Sequence, residues 1–235
     1  KEELLELRKY CDKAGIGFCI SSFSKEEIDY AVDVLNVPFI KIASMDLNNL
    51  PLLEYAAKKG RPIFLSTGMG SLAEVDEAVR TITKYNNDLL LFHCVSLYPP
   101  KDAQFNLRNI DLLREVFERP VGYSDHSLDE IIPLASVARG ACVIERHFTT
   151  DKEMEGWDHY ISSDVDEMKS LVRNSKRVYL SIGSYQRRIF QEDIEKRKRF
   201  RRSIVAQRDI AKGEEFGIGD INYKRPGIGI APNDN

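Results

Sequence analysis

Residues 62–94 read PIFLSTGMGSLAEVDEAVRTITKYNNDLLLFHC, and the fold class can be inferred from this stretch. It begins with a short apolar run, Pro62–Ser66, and ends with another, Leu89–Cys94. Between them, Leu72–Tyr85 carries apolar residues at helical spacing. Short continuous apolar runs that alternate with amphipathic helices are typical of βαβ units around a parallel sheet. The stretch therefore predicts a strand, a helix and a second strand parallel to the first.

The same alternation extends along the chain in both directions. Further apolar, β-branched runs predict strands at Ile16–Ile20, Pro38–Ala43, Val121–Tyr123 and Cys142–Phe148. Helical periodicity predicts the helices Lys25–Leu35, Leu50–Lys59, Leu107–Phe117, Leu128–Arg139 and Val165–Ile182. Short units of this kind favour an α/β fold of the TIM (βα)8-barrel type. Because the predicted strands number six, we expect the first two barrel strands to be absent from this chain; a complete, open six-stranded sheet is the alternative.

The composition changes after Gly183, which predicts a domain boundary. Tyr185–Phe200 is polar and highly charged, as is typical of a linker helix or arm. The residues that follow are rich in glycine, and the PGIG at 226–229 favours turns between short strands. We therefore predict a barrel over residues 1–184, a linker over 185–202 and a small, incomplete β-rich domain over 203–235.

Charge and composition exclude several classes of protein. The 235 residues carry a net charge of -3, whereas broad nucleic-acid binding needs a basic face to neutralise phosphates. No run approaches the roughly 18 consecutive apolar residues of a membrane span, and the charged first residues do not resemble a signal peptide. The 4 cysteines lack CxxC spacing and are expected to be reduced. A cytoplasmic enzyme that binds neither membrane nor nucleic acid is expected.

Polar side chains cluster at the ends of the predicted strands. The carboxyl ends of parallel strands meet at one side of a barrel, where the loops form the active site. Lys41 is the strongest candidate, because an ammonium within an apolar strand needs an anion to compensate it. Hydroxyl groups at neighbouring strand ends supply directional donors for a phosphate or carboxylate. The predicted anion site contains Lys41, Ser44, Ser66 and Ser124, with Arg146 as a further candidate.

Two histidines at the ends of adjacent predicted strands form a candidate metal site. His126 and His147 are 21 residues apart, which is close to one βα unit. Two imidazoles so placed can share one ion, while carboxylates or substrate oxygens complete the coordination. The alternative is that each is a hydrogen-bonded core histidine. His93 is a weaker candidate with the same structural alternative, and His159 is expected to cap or line a loop.

Seven motifs, taken together, resemble the sialic acid (N-acetylneuraminate) synthase family in order and spacing. They are KIAS at 41–44, LSTGM at 65–69, HCVSLYP at 93–99, VGYSDHS at 121–127, ERHFT at 145–149, DKEMEGWDH at 151–159 and KRPGIGI at 224–230. The resemblance covers essentially the whole chain, and seven ordered motifs are more specific than any one of them. It implies a βα barrel, here without its first two strands, followed by a small antifreeze-like (SAF) domain.

The resemblance also implies a reaction. Members of the family condense phosphoenolpyruvate with an open-chain N-acetylhexosamine, classically N-acetylmannosamine, to a nine-carbon α-keto sugar acid and phosphate. A divalent metal, Mn²⁺ or Mg²⁺, polarises the sugar aldehyde, and the protein is a domain-swapped homodimer. Such enzymes are cytoplasmic transferases of nonulosonic acid and polysaccharide biosynthesis.

Site residues follow from the same resemblance, position by position. His126 and His147 match the metal ligands, and Asp46 matches a glutamate that contacts the sugar or assists proton transfer. Arg225 matches an arginine of the small domain that closes over the active site of the other subunit and recognises the N-acetyl group. The catalytic residues implied are Asp46, His126 and His147. The substrate-binding residues implied are Ser21, Lys41, Ser44, Ser66, Ser96, Tyr98, Ser124, Asp158 and Arg225.

Three residues depart from the family pattern where the sugar is expected. Met45 replaces glycine, Asp46 is one methylene shorter than glutamate, and Trp157 stands in place of proline. These changes leave the sugar open, with a bacillosamine-derived or other modified hexose as the alternative. The rival hypotheses are a degenerate, non-catalytic sugar-binding or assembly subunit and a synthase of seven- or eight-carbon keto acids. The absent strands, which carry an acidic residue and a lysine in the family, predict that this chain alone is inactive.

Overall fold

The computed structural model of the chain describes residues 1–156 and 158–234. The chain divides into two compact units, Lys1–Gly183 and Ser184–Asn235. The first unit is built on a parallel β-sheet, and the second contains an antiparallel pair of strands. Across the described residues, every helix is too short or too polar to cross a membrane.

Five parallel strands form the sheet of the first unit, and their order in the sheet is their order along the chain. They are β1 (Ile40–Ile42), β2 (Ile63–Ser66), β3 (Leu89–Cys94), β4 (Val121–Asp125) and β5 (Ile144–Arg146). Each successive pair is connected through helix, as parallel pairing requires. The result is an α/β fold with a curled, half-barrel sheet, which agrees with the predicted TIM-like barrel.

Helices connect and flank the strands. They are α1 (Glu2–Ala14), α2 (Lys25–Asp29), α3 (Leu50–Lys58), α4 (Leu72–Thr83), α5 (Asp102–Phe105), α6 (Arg108–Phe117), α7 (Ile131–Ala138) and α8 (Val165–Ile182). Helix α2 continues into a π-helical segment, Tyr30–Val34, so the helix predicted here forms with a change of winding. Helix α4 begins with a capping box, in which Ser71 and Glu74 each bond the other's backbone N–H. The local sequence thus sets where α4 begins.

The two faces of the sheet differ in chemistry because side chains alternate along each strand. The outer face packs against the helices in a buried apolar cluster, whose strand residues are Ile40, Ile42, Ile63, Leu65, Leu89, Leu91, Val121 and Tyr123. The inner face carries the alternate positions, which include the polar residues Lys41, Ser66, Ser124 and Glu145. Burial of apolar surface therefore holds the helices outside. The inside holds polar groups together with the rings of Phe64 and Phe92.

The predicted strand at residues 16–20 is wrong. This segment forms no ladder with β1 and joins it through an isolated parallel bridge between Ser21 and Lys41. A strand needs successive backbone hydrogen bonds to its neighbour. Here the thiol of Cys19, instead of a backbone N–H, donates to the Phe39 carbonyl (3.4 Å). The segment therefore lies beside β1 without becoming a sixth strand.

Helix α7 and strand β5 are among the elements that are shorter than predicted. Helix α7 begins at Ile131 instead of Leu128, because the Asp129 carboxylate accepts from the Ile131 N–H (2.8 Å) in a side-chain turn. Strand β5 ends before His147, whose carbonyl accepts from the N–H of Ser163 (2.8 Å) in a later loop. Side-chain and loop hydrogen bonds thus end the regular structure at the carboxyl ends of the strands.

The second unit, described over residues 184–234, contains one long helix and two paired strands. These are α9 (Gln191–Phe200), β6 (Ser203–Ala206) and β7 (Ile221–Lys224), with β6 antiparallel to β7. The Ser203 hydroxyl accepts from the Gly229 N–H (2.9 Å), which ties the PGIG segment to β6. The identity of this unit as an antifreeze-like domain stays a prediction.

Candidate active site

Lys41 lies at the centre of a buried polar network on the inner face of the sheet, at the carboxyl ends of the strands, a region that we call the mouth. The residue is 7% exposed, and its Nζ donates to Ser66 Oγ (2.8 Å) and to the Ile42 carbonyl (3.3 Å). The Glu145 carboxylate lies 3.4 Å from the ammonium and accepts from Ser124 Oγ (2.8 Å). Strands β1, β2, β4 and β5 each contribute one group. Three residues of the predicted anion site therefore converge.

Glu145 is a site residue that the sequence motifs alone did not single out. The alternation of strand side chains is the signal that could have found it. Ile144 and Arg146 face the helices, so Glu145 and His147 face the mouth. Its carboxylate supplies the counter-charge that the ammonium of Lys41 needs. Because the Glu145 side chain is 42% exposed, it can move aside when an anionic ligand takes its place.

Serine hydroxyls surround Gly68, just after β2. The Gly68 N–H donates to Ser44 Oγ (3.0 Å), and Ser96 Oγ lies 3.9 Å from Cys94 Sγ. A Cβ at position 68 would lie 2.4 Å from Ser96 Oγ and 2.8 Å from Ser44 Oγ. The absence of a side chain at this glycine therefore lets both hydroxyls approach the turn, and adds Ser44 and Ser96 to the mouth.

His126 is a neutral imidazole with one nitrogen free to bind a ligand. Its Nδ1 lies 2.8 Å from the Val95 carbonyl, which can only accept, so Nδ1 is assigned the proton and Nε2 keeps its lone pair. Burial lowers the pKa of His126 because it disfavours the charged form, and the nearby His147 adds to this effect. A neutral imidazole is the form that binds a metal ion.

His147 and Tyr98 complete an aromatic cluster around His126. The ring centroids of His126 and His147 are 5.3 Å apart, and the Tyr98 ring lies 4.1 Å from His126 and 5.8 Å from His147. The carboxylate of Asp158 is 3.8 Å from His147 Nδ1, which is too far for a hydrogen bond. The structure thus brings together the two histidines, the tyrosine and the aspartate that the sequence singles out.

The histidine pair fits a divalent cation as a two-ligand site. Metal–imidazole bonds are about 2.1 Å long, so rings at this separation can both reach one ion. Over residues 1–156 and 158–234, no cluster of three or more His, Cys, Asp and Glu side chains is placed to hold an ion. Water or substrate oxygens would fill the remaining positions, as in catalytic rather than structural metal sites.

Three other candidates lie outside the mouth. Arg146 is buried on the outer face in an ion pair with Asp125, so its assignment to the anion site is wrong. His93 also faces outwards, and its Nε2 bonds to a backbone carbonyl of α5 (2.7 Å). His159 Nδ1 bonds to Thr149 Oγ1 (2.8 Å) within a loop. Each of these two histidines thus has a hydrogen-bond partner within the fold, which favours a structural role for His93 and His159.

Ser21 and Asp46 are placed less directly by the structure. Ser21 pairs with Lys41 across the isolated bridge, a register that puts both side chains on the same face. The Asp46 carboxylate accepts from the side-chain amide of Asn49 (3.0 Å) in the turn after β1. Its predicted catalytic role therefore stays a prediction.

Arg225 belongs to the second unit and is described there. Its guanidinium lies over the ring of Phe200, 6.0 Å from the centroid. Trp157, which departs from the family pattern, lies outside the described residues. The predicted roles of these two positions at the sugar stay predictions.

Comparison with known proteins agrees with this geometry. The sequence profile of the NeuB family matches residues 1–187, which is the whole of the first unit and the residues directly after it. The chain belongs to the NeuB family. Six of the seven motifs lie within the matched residues, so the match confirms the resemblance and identifies the chain as a sialic acid synthase-like transferase.

Individual relatives match the chain beyond the residues of the NeuB-family profile. An uncharacterized protein of Methanocaldococcus jannaschii is 44% identical over 231 residues, which cover 98% of this chain and 68% of that protein. The N,N'-diacetyllegionaminic acid synthase of Legionella pneumophila is 38% identical over 239 residues, 100% of this chain and 67% of the synthase. The crystal structure of N-acetylneuraminic acid (sialic acid) synthetase from Leptospira borgpetersenii superposes with a TM-score of 0.79 at 35% identity, over 83% of this chain and 68% of that one.

We predict that Gly68→Ala weakens the binding of phosphate at this NeuB-family site about three- to tenfold. The added Cβ displaces the hydroxyls of Ser44 and Ser96, and one lost hydrogen bond is worth about 0.5–1.5 kcal/mol. The fold should persist, since both hydroxyls can rotate away and the Cys94 carbonyl, 3.3 Å from the added Cβ, needs to move by only a small amount. Titration calorimetry with phosphate measures the change.

Gly17→Ala is the matched control for this substitution. A Cβ at position 17 meets only Pro38 Cγ, at 3.8 Å, so neither stability nor phosphate binding should change. Equal phosphate affinity in Gly68→Ala and the unmodified protein would show that these hydroxyls do not bind the anion.

Proposed function

We propose that this protein condenses phosphoenolpyruvate with an open-chain N-acetylhexosamine to give a nine-carbon α-keto sugar acid and phosphate. The observation that carries the proposal is the joining of two sub-sites in one mouth. One is an ammonium with serine hydroxyls around it, and the other is a pair of facing imidazoles. The names of the relatives support it, since they are synthases of N-acetylneuraminic and diacetyllegionaminic acids.

Phosphoenolpyruvate carries a phosphate and a carboxylate, and the network around Lys41 supplies the groups that bind them. The ammonium provides a point charge, and hydroxyls donate hydrogen bonds in fixed directions. Ser66 and Ser124 already hold Lys41 and Glu145 in place. When the anion binds, Lys41 exchanges the carboxylate of Glu145 for the ligand, so the cation stays compensated throughout.

The reaction forms a carbon–carbon bond and breaks a carbon–oxygen bond. C3 of phosphoenolpyruvate attacks the aldehyde carbon, whose oxygen gains a proton and becomes a hydroxyl. Water adds to C2, and the tetrahedral intermediate loses phosphate together with the bridging oxygen. A base must accept a proton from that water, and we assign this role to the Glu145 carboxylate released by Lys41. Asp46 is proposed to assist proton transfer at the sugar.

The histidine pair is proposed to hold a divalent metal, Mn²⁺ or Mg²⁺. When bound, such an ion acts as a Lewis acid that polarises the sugar aldehyde. The chain's own contribution is orientation. The Val95 carbonyl fixes the tautomer of His126, and the tilted ring of Tyr98 packs against it.

The sugar is proposed to lie between the metal ligands and the rim of the mouth. Candidate sugar contacts are Asp158 and, from the second unit, Arg225. Ser96 and Tyr98 are candidate contacts to the reaction intermediate, and Ser21 is grouped with the phosphoenolpyruvate-binding residues. Met45 is 67% exposed next to Ser44, so the rim has an apolar side chain where the family has glycine. Because a relative is named for a diacetylated product, we propose a modified hexosamine as well as N-acetylmannosamine. An antifreeze-like second unit, a domain-swapped homodimer and a cytoplasmic location belong to the same proposal.

The proposed reaction is tested by incubating the protein, with all of its native sequence, with phosphoenolpyruvate, Mn²⁺ and a panel of N-acetylhexosamines. Phosphate release with one sugar, and a product mass equal to sugar plus pyruvate, is the expected result. Binding of Mn²⁺ and phosphoenolpyruvate without turnover would mean that the substrate is a sugar outside the panel. Absence of all binding would replace the proposal with the degenerate, non-catalytic subunit.

His126→Ala is expected to abolish metal-dependent turnover and the rise in thermal stability that Mn²⁺ gives the unmodified protein. A ligand that binds only the folded state raises its stability, so the loss of a metal ligand removes that rise. Differential scanning calorimetry with and without Mn²⁺ measures it. His159→Gln is the control, because His159 bonds to Thr149 away from the pair. Full metal-stimulated activity in His126→Ala would refute the metal assignment.

Glu145→Gln is expected to tighten phosphoenolpyruvate binding up to about fivefold while turnover falls about 100-fold or more. The amide no longer competes with the ligand for Lys41, and an ion pair whose carboxylate is 42% exposed is worth about 1 kcal/mol. Turnover falls because the proton acceptor is lost. Calorimetry and steady-state kinetics separate the two effects.

Glu115→Gln makes the same charge change on an exposed face of α6 and serves as the control. It should alter neither phosphoenolpyruvate affinity nor turnover. Weaker phosphoenolpyruvate binding in Glu145→Gln would mean that this carboxylate supports the ligand instead of giving way to it.

A further inference from the structure

Behind the mouth, Asp125 and Arg146 form an ion pair that faces away from the reacting groups. The two residues occupy paired positions at the ends of β4 and β5, on the outer face of the sheet. Their side chains are 0% and 4% exposed, and Arg146 Nη1 donates to Asp125 Oδ2. Both charges are therefore removed from water and compensate each other.

The guanidinium of Arg146 also bonds to two other segments of the chain. Its Nε donates to Ser163 Oγ (2.7 Å), its Nη1 to Ser127 Oγ (3.2 Å) and its Nη2 to the Ile161 carbonyl (3.5 Å). Ser127 lies in the turn after β4, whereas Ile161 and Ser163 lie in the loop before α8. One side chain thus joins the ends of two strands and the loop that carries Asp158.

Each partner of this ion pair is covalently next to a candidate metal ligand. Asp125 precedes His126 in the sequence, and Arg146 precedes His147. Successive side chains in an extended segment point to opposite faces, so a residue fixed behind the sheet sets the direction of its neighbour in front. The N–H of Ser163 also donates to the His147 carbonyl (2.8 Å), which fixes the backbone on the far side of that histidine.

A buried ion pair contributes little to the stability of a fold, so the role of this pair is sought in the geometry that it imposes on its neighbours. The cost of removing two charges from water offsets their attraction, and an apolar pair of similar volume is often as stable. What Arg146 provides in addition is a rigid planar fork with donors at fixed angles. Because the fork is rigid, its hydrogen bonds to four partners fix three segments relative to one another.

We propose that Asp125 and Arg146 are positioning residues that hold the imidazoles of His126 and His147 at the separation needed to share one metal ion. The inference rests on the metal site of the proposed function and adds the element that orients it. Removal of both charges should leave the strands paired but allow the two rings to move independently.

The test uses the double variant Asp125→Leu/Arg146→Met of the whole protein, which replaces the pair by apolar side chains and leaves no buried charge alone. Mn²⁺ affinity, measured by calorimetry, should fall at least tenfold, within the range of about 10–100-fold found for residues that orient metal ligands. Phosphoenolpyruvate affinity and the thermal midpoint should stay near those of the unmodified protein. Arg139→Met, which removes one partner of the half-exposed pair with Asp111, is the control.

A second variant and a spectroscopic readout separate positioning from general damage. Arg146→Lys keeps the charge opposite Asp125 but cannot bond to all of its partners, so its Mn²⁺ affinity should be intermediate. The chain has 4 histidines, which makes their ring signals easy to follow by NMR. In the double variant the signals of His126 and His147 should shift more than that of His93, whose Nε2 stays bonded to the Phe105 carbonyl.

The outcomes decide between three situations. Unchanged Mn²⁺ affinity, or unchanged ring signals of the two histidines, would overturn the positioning role. Joint loss of Mn²⁺ and phosphoenolpyruvate binding with a lower thermal midpoint would also overturn it, because the pair would then be purely structural. If the unmodified protein binds no Mn²⁺, the metal proposal fails by itself, and the ring signals still show whether the pair positions the histidines.

Discussion

An ammonium inside a parallel sheet must have a counter-charge, and the contact that provides it requires the sheet to curl. Lys41 is on β1 and Glu145 on β5, the two edges of the five-stranded sheet, yet their charged atoms are 3.4 Å apart. In a flat sheet, strands about 4.8 Å apart would place these edges roughly 19 Å from each other, beyond the reach of both side chains together. The contact exists because the sheet closes towards a barrel. The polar network of the mouth therefore depends on the curvature of the sheet.

The strict alternation of strand side chains gives the two faces of this sheet different tasks. Apolar residues outside hold the helices, and the polar residues at alternate positions inside form the network around Lys41. At the carboxyl ends of β4 and β5 the outer face becomes polar as well, with Asp125 bonded to Arg146. The buried polar groups there are paired with each other, whereas the groups on the inner face keep donors and acceptors that a ligand can bind.

Small residues permit the close approaches on which this arrangement depends. A Cβ at Gly122 would lie 2.6 Å from the ring of Phe92, and one at Gly68 would collide with two serine hydroxyls. The Phe92 ring in turn lies 5.6 Å beneath the ammonium of Lys41, where it can contribute a cation–π contact. The inside of the half-barrel is therefore filled by a few large rings, and glycines make room for them and for the hydroxyls.

The alternating elements could be predicted from the sequence, since apolar runs and helical periodicity are local properties. Strand β3 has the predicted bounds, Leu89–Cys94, and the proximity of His126 to His147 follows from equivalent positions in successive units.

Which polar residues face the mouth depends on the tertiary structure. Glu145 and Arg146 are adjacent in the chain, yet one compensates Lys41 in front and the other Asp125 behind. Likewise, residues 16–20 have the composition of a strand but lack a backbone ladder. The physical reason is that a charge partner and a strand neighbour are both supplied by distant segments, so neither can be known until the sheet has curled.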